Sequence, residues 1–175
     1  MNDETDAALK GHGRDWEEER VARLVRLAAR SFNRSLQLRL TSEGVTFGQW
    51  IFLRILWQND GLSQRDLSDH ANLTEPTTHT ALMRMQELGL ITRQKVGTNR
   101  RRQHAFLTER GWELRDKLEP LAVETNEVAL AGLRDDEVAT LRRALSTVIR
   151  NLEQDEQEAA KRGLRVPPTR SLAGI

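Results

Sequence analysis

Residues 62–93, LSQRDLSDHANLTEPTTHTALMRMQELGLITR, carry two short helix signals in tandem, and the other elements are arranged around them. Ser63 offers an N-cap hydroxyl to a helix over 64–71, whose Leu67 and Ala71 lie one turn apart on a single face. Leu73-Thr74 makes the turn. Thr74 caps a second helix over 75–88, with Pro76 in its first turn, where a missing amide proton costs little. Thr78, Leu82, Met85 and Leu88 step by three and four along its inner side, and Gly89 stops it. Two short capped helices joined by so brief a turn predict a helix-turn-helix.

Past Gly89 the period changes. Leu90 to Val96 begins with β-prone residues, Gly97-Thr98-Asn99 is turn-forming, and Gln103 to Leu107 can return as the partner strand. The tip of this hairpin is basic: residues 93–104 hold Arg93, Lys95, Arg100, Arg101, Arg102 and His104, and no acid. Upstream, Thr46-Phe47-Gly48-Gln49 reads as a capping box. It opens a helix over 47–58 that is apolar nearly all round (Phe47, Trp50, Ile51, Phe52, Leu53, Ile55, Leu56, Trp57), which predicts a central buried element ended by Asn59-Asp60-Gly61. The predicted fold class is mainly α with a small β-hairpin wing: a winged helix-turn-helix core between longer terminal helices.

Those terminal helices are also legible. Residues 17–40 lack Gly and Pro and place Val21, Leu24, Val25, Ala28, Phe32 and Leu36 at helical spacing. Thr108 caps a helix over 109–131, with Trp112, Leu118, Leu121, Thr125 and Val128 expected on its inner side. Leu133 to Asp136 separate it from a last helix, where Val138, Leu141, Leu145, Val148 and Leu152 form a seam suited to packing along another helix. The expected division is a flexible segment at 1–14, an N-terminal dimerisation helix at 15–45, the DNA-binding winged helix-turn-helix at 46–107, C-terminal dimerisation helices at 108–160 and a flexible tail at 161–175.

Lys and Arg number 27 against 26 Asp and Glu, a formal net charge of +1, so overall charge does not mark a nucleic-acid binder. A local basic patch in a near-neutral chain points instead to a localised anionic partner. The absence of cysteine excludes disulfides, thiolate metal sites and thiol catalysis. The polar N-terminus and the lack of any apolar run near ~20 residues lead us to expect no signal peptide, no membrane partner and a cytoplasmic, nucleoid-associated protein. His12, His70, His79 and His104 show no metal-ligand spacing, and GxSxG, Gly-rich phosphate and HExxH motifs are missing, so neither an enzyme nor a cofactor is expected.

On the helix over 75–88 the outward candidates for DNA contact are Pro76, Thr77, His79, Thr80 and Arg84; Thr77, His79 and Thr80 can hydrogen-bond base edges. Glu75 and Glu87 offset Arg84 and a protonatable His79. Affinity is therefore expected mainly from the wing (Arg93, Lys95, Asn99, Arg100, Arg101, Arg102) and from Ser63, Gln64 and Arg65. Blander readings compete. The basic turn can be a solvated loop, His79 an ordinary surface histidine, and Trp50 and Trp57 simple core. Arg23, Arg26, Arg30 and Arg34 can be a solvated stripe. The functional alternative makes Trp50 the wall of an effector pocket in which Arg26 or Arg30, with Arg54, offers a bidentate fork to a small aromatic acid.

The runs GVTFGQWIFLRIL, LSQRDLSDHANLTEPTTHTALMRMQELGLITR and NRRRQHAFLTERG together resemble the MarR family (multiple antibiotic resistance regulators) over about residues 20–155. The carrying motifs are Leu62-Ser63 followed by Leu67, a helix ending in Gly89-Leu90-Ile91, and Leu107-Thr108 followed by Gly111 after the basic turn. The resemblance implies a homodimer held by terminal helices, a palindromic operator in double-stranded DNA, and release when a small-molecule effector binds. The family's wing motif of Asp, any residue and Arg falls on Asn99, Arg100 and Arg101, which implies Arg101 as the minor-groove arginine and leaves Asn99 where the family has aspartate. The alternative is a winged helix used for protein assembly, without an operator.

Overall fold

A computed structural model describes residues 16, 18–96 and 102–164. Its elements run α1 (Val21–Leu40), a 3-10 turn (Thr41–Glu43), α2 (Phe47–Gln58), α3 (Gln64–Ala71), α4 (Glu75–Glu87), β1 (Ile91–Lys95), β2 (Gln103–Leu107), α5 (Glu109–Leu130) and α6 (Asp135–Lys161). The architecture is helices with one small antiparallel hairpin.

α2 is the centre. Its capping box closes in both directions: Gln49 N donates to Thr46 Oγ1 at 3.2 Å, and Thr46 N donates to Gln49 Oε1 at 2.9 Å. Phe52, Leu53 and Leu56 are wholly buried, and Leu40, Leu67, Leu82, Met85, Ile91 and Leu118 close over them from every neighbouring element. Trp57 meets Trp50 edge-on with ring centroids 5.6 Å apart. Its indole Nε1 donates to the Gly111 carbonyl at 2.9 Å, so the buried N–H is satisfied while α5 is drawn onto α2.

The wing is wider than the hairpin expected from sequence. β1 and β2 pair in register from Ile91 opposite Leu107 to Lys95 opposite Gln103. The residues just before α3 add a further short rung: Ser63 bridges His104, and Ala105 N donates to Leu62 O at 2.9 Å. Asp60 Oδ1 accepts from Leu107 N at 2.9 Å, which fixes the same junction from the α2 side. Gly61 is required here, because its φ is +76° and a Cβ would lie 2.6 Å from Phe106 Cε1. The wing root is thereby built into the helix-turn-helix.

Three expectations need correction. α1 starts at Val21, after Arg20 in an extended conformation (φ -61°, ψ 134°), and so later than the helical spacing suggested. Trp112 and Val128 of α5 are exposed, not inner. α5 turns Gly111, Leu118 and Thr125 inward, and Gly111 fits so tightly that a Cβ would lie 2.3 Å from Leu90 O; its neighbour Trp112 is rotated about 100° away. Asp135 and Asp136 are not linker but the first turn of α6, where carboxylates oppose the positive end of the helix dipole. α6 buries no residue, and the seam of Leu141, Leu145, Val148 and Leu152 lies on the surface of the single chain. Among the described residues, no helix is long and apolar enough to cross a membrane.

Candidate nucleic-acid interface

α3, α4 and the wing root surround a concavity of about 400 Å³, lined by Ser63 at the α3 cap, Gln64 and Arg65 of α3, Glu75 and His79 of α4, and Arg93, Arg102 and Gln103 of the wing. Sequence reasoning reached most of these residues but not Gln103. A lone glutamine at a strand end carries no signal until its neighbours are known.

The α3 cap shapes one edge of the concavity. Ser63 is 2% exposed; its hydroxyl donates to Asp66 Oδ2 at 2.6 Å and accepts from Asp66 N at 3.2 Å. The Ser63 side chain is therefore engaged in the cap, and the residue lines the inner edge of the concavity beside Gln64. The Asp66 carboxyl sits below its ordinary range, chiefly through the Ser63 hydroxyl, against an opposing effect of burial. The Ser63 amide and the charges of Arg102 and His104 add to the lowering. Asp66 thus couples the α3 cap to the wing root electrostatically.

Along α4, Pro76, His79 and Thr80 are exposed and Thr77 is half-buried. The Thr77 hydroxyl lies 2.9 Å from Thr74 Oγ1 within the N-cap. Thr80 donates its hydroxyl proton to Pro76 O at 3.1 Å, which leaves the oxygen's lone pairs for an outside donor. Arg84 is paired with Glu87 at 2.9 Å, so this end of the helix is locally neutral. His79 Nδ1 lies 3.1 Å from Gln64 Oε1. Arg65 and Arg102 are exposed cations of the concavity, Lys95 is exposed at the end of β1, and Arg93 is part-buried at the wing root. Asn99, Arg100 and Arg101 lie outside the described residues.

A family model described as MarR family matches residues 43–102, the span from the end of the 3-10 turn to the residue before β2. The uncharacterized HTH-type transcriptional regulator YybA of Bacillus subtilis is 25% identical over 141 residues, covering 81% of this chain and 94% of its own length. The HTH-type transcriptional repressor Rv2887 of Mycobacterium tuberculosis is 29% identical over 106 residues, 61% of this chain and 76% of its own. A solved structure from Listeria monocytogenes, assigned to the same family and complexed with a 26mer DNA, superposes with a TM-score of 0.71 at 25% identity. It covers 87% of this chain and 99% of that one. The chain belongs to the MarR family.

MarR-family members are transcriptional regulators and not enzymes, in keeping with the absence of any catalytic constellation in the sequence. The effector-pocket candidates divide. Trp50 and Arg54 of α2 share a second cavity of about 380 Å³ with Asn33 and Leu36 of α1 and His70 and Ala71 of α3. Arg54 Cζ stands 5.7 Å from the Trp50 ring centroid, over its face. Arg26 and Arg30 are not among the residues lining this cavity: both are exposed on the N-terminal half of α1, before Asn33. His70 and Asn33 were not singled out from sequence, since α1 and α3 meet α2 only in the folded chain.

Proposed function

We propose that this protein is a homodimeric repressor that holds a short palindromic operator in duplex DNA and lets go when a small aromatic acid binds. The observation that carries the DNA reading is the concavity between α3, α4 and the wing, with exposed Arg65 and Arg102 in its lining and the polar start of α4 beside it. In this reading Pro76, Thr77, His79, Thr80 and Arg84 lie in the major groove, where Thr77, His79 and Thr80 meet base edges. Gln64 and Arg65 approach the phosphates. Lys95, Asn99, Arg100 and Arg102 serve the wing's contact with DNA, and Arg101 enters the minor groove. The Listeria relative solved with DNA supports the operator, and the name of Rv2887 supports repression.

Residues 46–107 then form the DNA-binding unit, and 15–45 with 108–160 the dimerisation unit, closed by the seam of half-buried Val138 and exposed Leu141, Leu145, Val148 and Leu152. The effector belongs in the cavity walled by Trp50, with Arg54 to meet a carboxylate. Such an activity is exercised on chromosomal DNA in the cytoplasm.

Selection of bound fragments from random duplexes, followed by titration of the winning site across a salt series, tests this. The expected result is a palindromic site with half-sites ~10 base pairs apart and affinity falling steeply with salt. Absence of duplex binding even at low salt, with capture of a protein partner, would favour the assembly module instead.

A further inference from the structure

Arg93 differs from the other cations of the DNA face. It springs from β1, and its guanidinium reaches three other elements. Nη2 donates to Gln64 Oε1 of α3 at 3.3 Å and to Gln103 Oε1 of β2, while Nη1 donates to Met83 Sδ of α4 at 2.8 Å. With Gln64 Oε1 as acceptor for His79 Nδ1 as well, that imidazole nitrogen carries the proton. The 3.4 Å approach between His79 Nδ1 and Arg93 Nη2 is then a side-by-side contact, not a hydrogen bond. Both protons of Nη2 and one of Nη1 are committed to the protein, and Nε is buried without a partner among the described residues. Burial holds the guanidinium below its ordinary range, although it stays charged. Its acceptors are all neutral, so this tie is a fork of hydrogen bonds, which salt does not screen as it would an ion pair.

We propose that Arg93 is a positioning residue: it locks the wing to α3 and α4 and sets the angle at which the wing meets DNA, and it is not itself a phosphate ligand. The inference rests on the DNA-binding reading above. A phosphate ligand keeps its donors in solvent until DNA arrives and releases counterions when it binds. Arg93 has already committed three of its five donors to the protein and a fourth, Nε–H, is buried, and the exposed Arg102 at the same root is the one suited to a phosphate. Lysine cannot replace Arg93, because one ammonium does not reproduce the planar fork that spans acceptors on three elements.

The test compares Arg93→Ala, Arg93→Lys, Gln103→Ala and Arg102→Ala for affinity and salt slope on the selected operator. Amide hydrogen exchange of residues 92–95 and 103–106 in the free proteins is measured alongside. Arg93→Ala is expected to weaken binding roughly tenfold or more through lost preorganisation, with the salt slope unchanged. Arg93→Lys should keep most of that defect. Gln103→Ala, which leaves every cation in place, should weaken binding in the same sense, and both Arg93→Ala and Gln103→Ala should speed exchange in the wing. Arg102→Ala should lower the slope by about 0.9. A slope lowered as much by Arg93→Ala, wild-type affinity in Gln103→Ala or Arg93→Lys, or unchanged wing exchange overturns the proposal. A wild-type protein that binds no duplex at any salt refutes the DNA reading instead, and the exchange measurement then decides by itself whether Arg93 locks the wing.

Discussion

Replacing Leu145 by aspartate on α6 is expected to turn a dimer into monomers. In the single chain Leu145 is 37% exposed, between Leu141 and Val148, and α6 buries nothing of its own. Full burial of a leucine side chain contributes about 1.5–3 kcal/mol, so the exposed third of Leu145 still carries about 0.6–1.1 kcal/mol. A two-fold interface repeats every residue, which doubles this to about 1.2–2.2 kcal/mol per dimer, or roughly 7- to 40-fold in Kd for Leu145→Ala. Leu145→Asp adds the desolvation of a carboxylate in each copy, several kcal/mol per ion, so its loss exceeds about 1000-fold. Sedimentation velocity over a concentration series reads the change. Circular dichroism should show the helices intact, because α6 holds no buried residue. A dimer of wild-type affinity in Leu145→Asp, or a wild-type chain that is already monomeric, refutes the assignment of the seam.

Four other outcomes are expected. Thr80→Ala should relax operator preference at one base pair by about 1–3 kcal/mol, read from competition among single-base variants of the site. Asp66→Asn should cost stability at neutral pH. Because the folded carboxyl titrates below its unfolded value of about 3.9, that contribution is present above this pH and lost as pH falls through the folded value, so the gap from wild type should close in acid. Gly111→Ala should lower Tm, since overpacking against Leu90 O costs about 1–3 kcal/mol and each kcal/mol is worth about 2–4 °C at this chain length; an unchanged Tm means α5 yields freely. Arg54→Ala should abolish the heat of binding of aromatic acids, and a panel giving no heat and no operator release with the wild type removes the effector from this cavity.

The helices were legible because their punctuation is local. Ser63, Thr74 and Thr108 each cap the helix that follows, and Thr46 with Gln49 closes the box that opens α2. The hairpin was legible because Gly89 ends α4 just where the β-prone run begins. What escaped depends on partners distant in the chain. The rung at Leu62 and Ser63 is too short to show a period of two, and it becomes strand only because β2 lies beside it. Trp112 looked like core by spacing, yet the close fit of Gly111 on Leu90 turned the helix the other way. Arg93 reads as one more wing cation until Gln64, Met83 and Gln103 are seen around it, and Arg26 and Arg30 share a stripe with nothing that brings them to Trp50.

α3 links the two halves of the proposed mechanism. It is eight residues, about 12 Å long, and its ends face different cavities. Gln64 and Arg65 line the DNA-side concavity, while His70 and Ala71 line the one that holds Trp50 and Arg54. Leu67 between them is wholly buried, so the helix cannot bend to satisfy one end alone. An effector that favours a different seat for His70 must carry Gln64 with it, and Gln64 is an acceptor for Arg93 and hence for the wing. Linkage makes the effect reciprocal: whatever factor the effector removes from operator affinity, the operator removes from effector affinity. Measuring effector binding with and without saturating operator therefore tests the coupling from either side. If effector affinity is the same in both states, α3 transmits nothing and release must come from another part of the dimer.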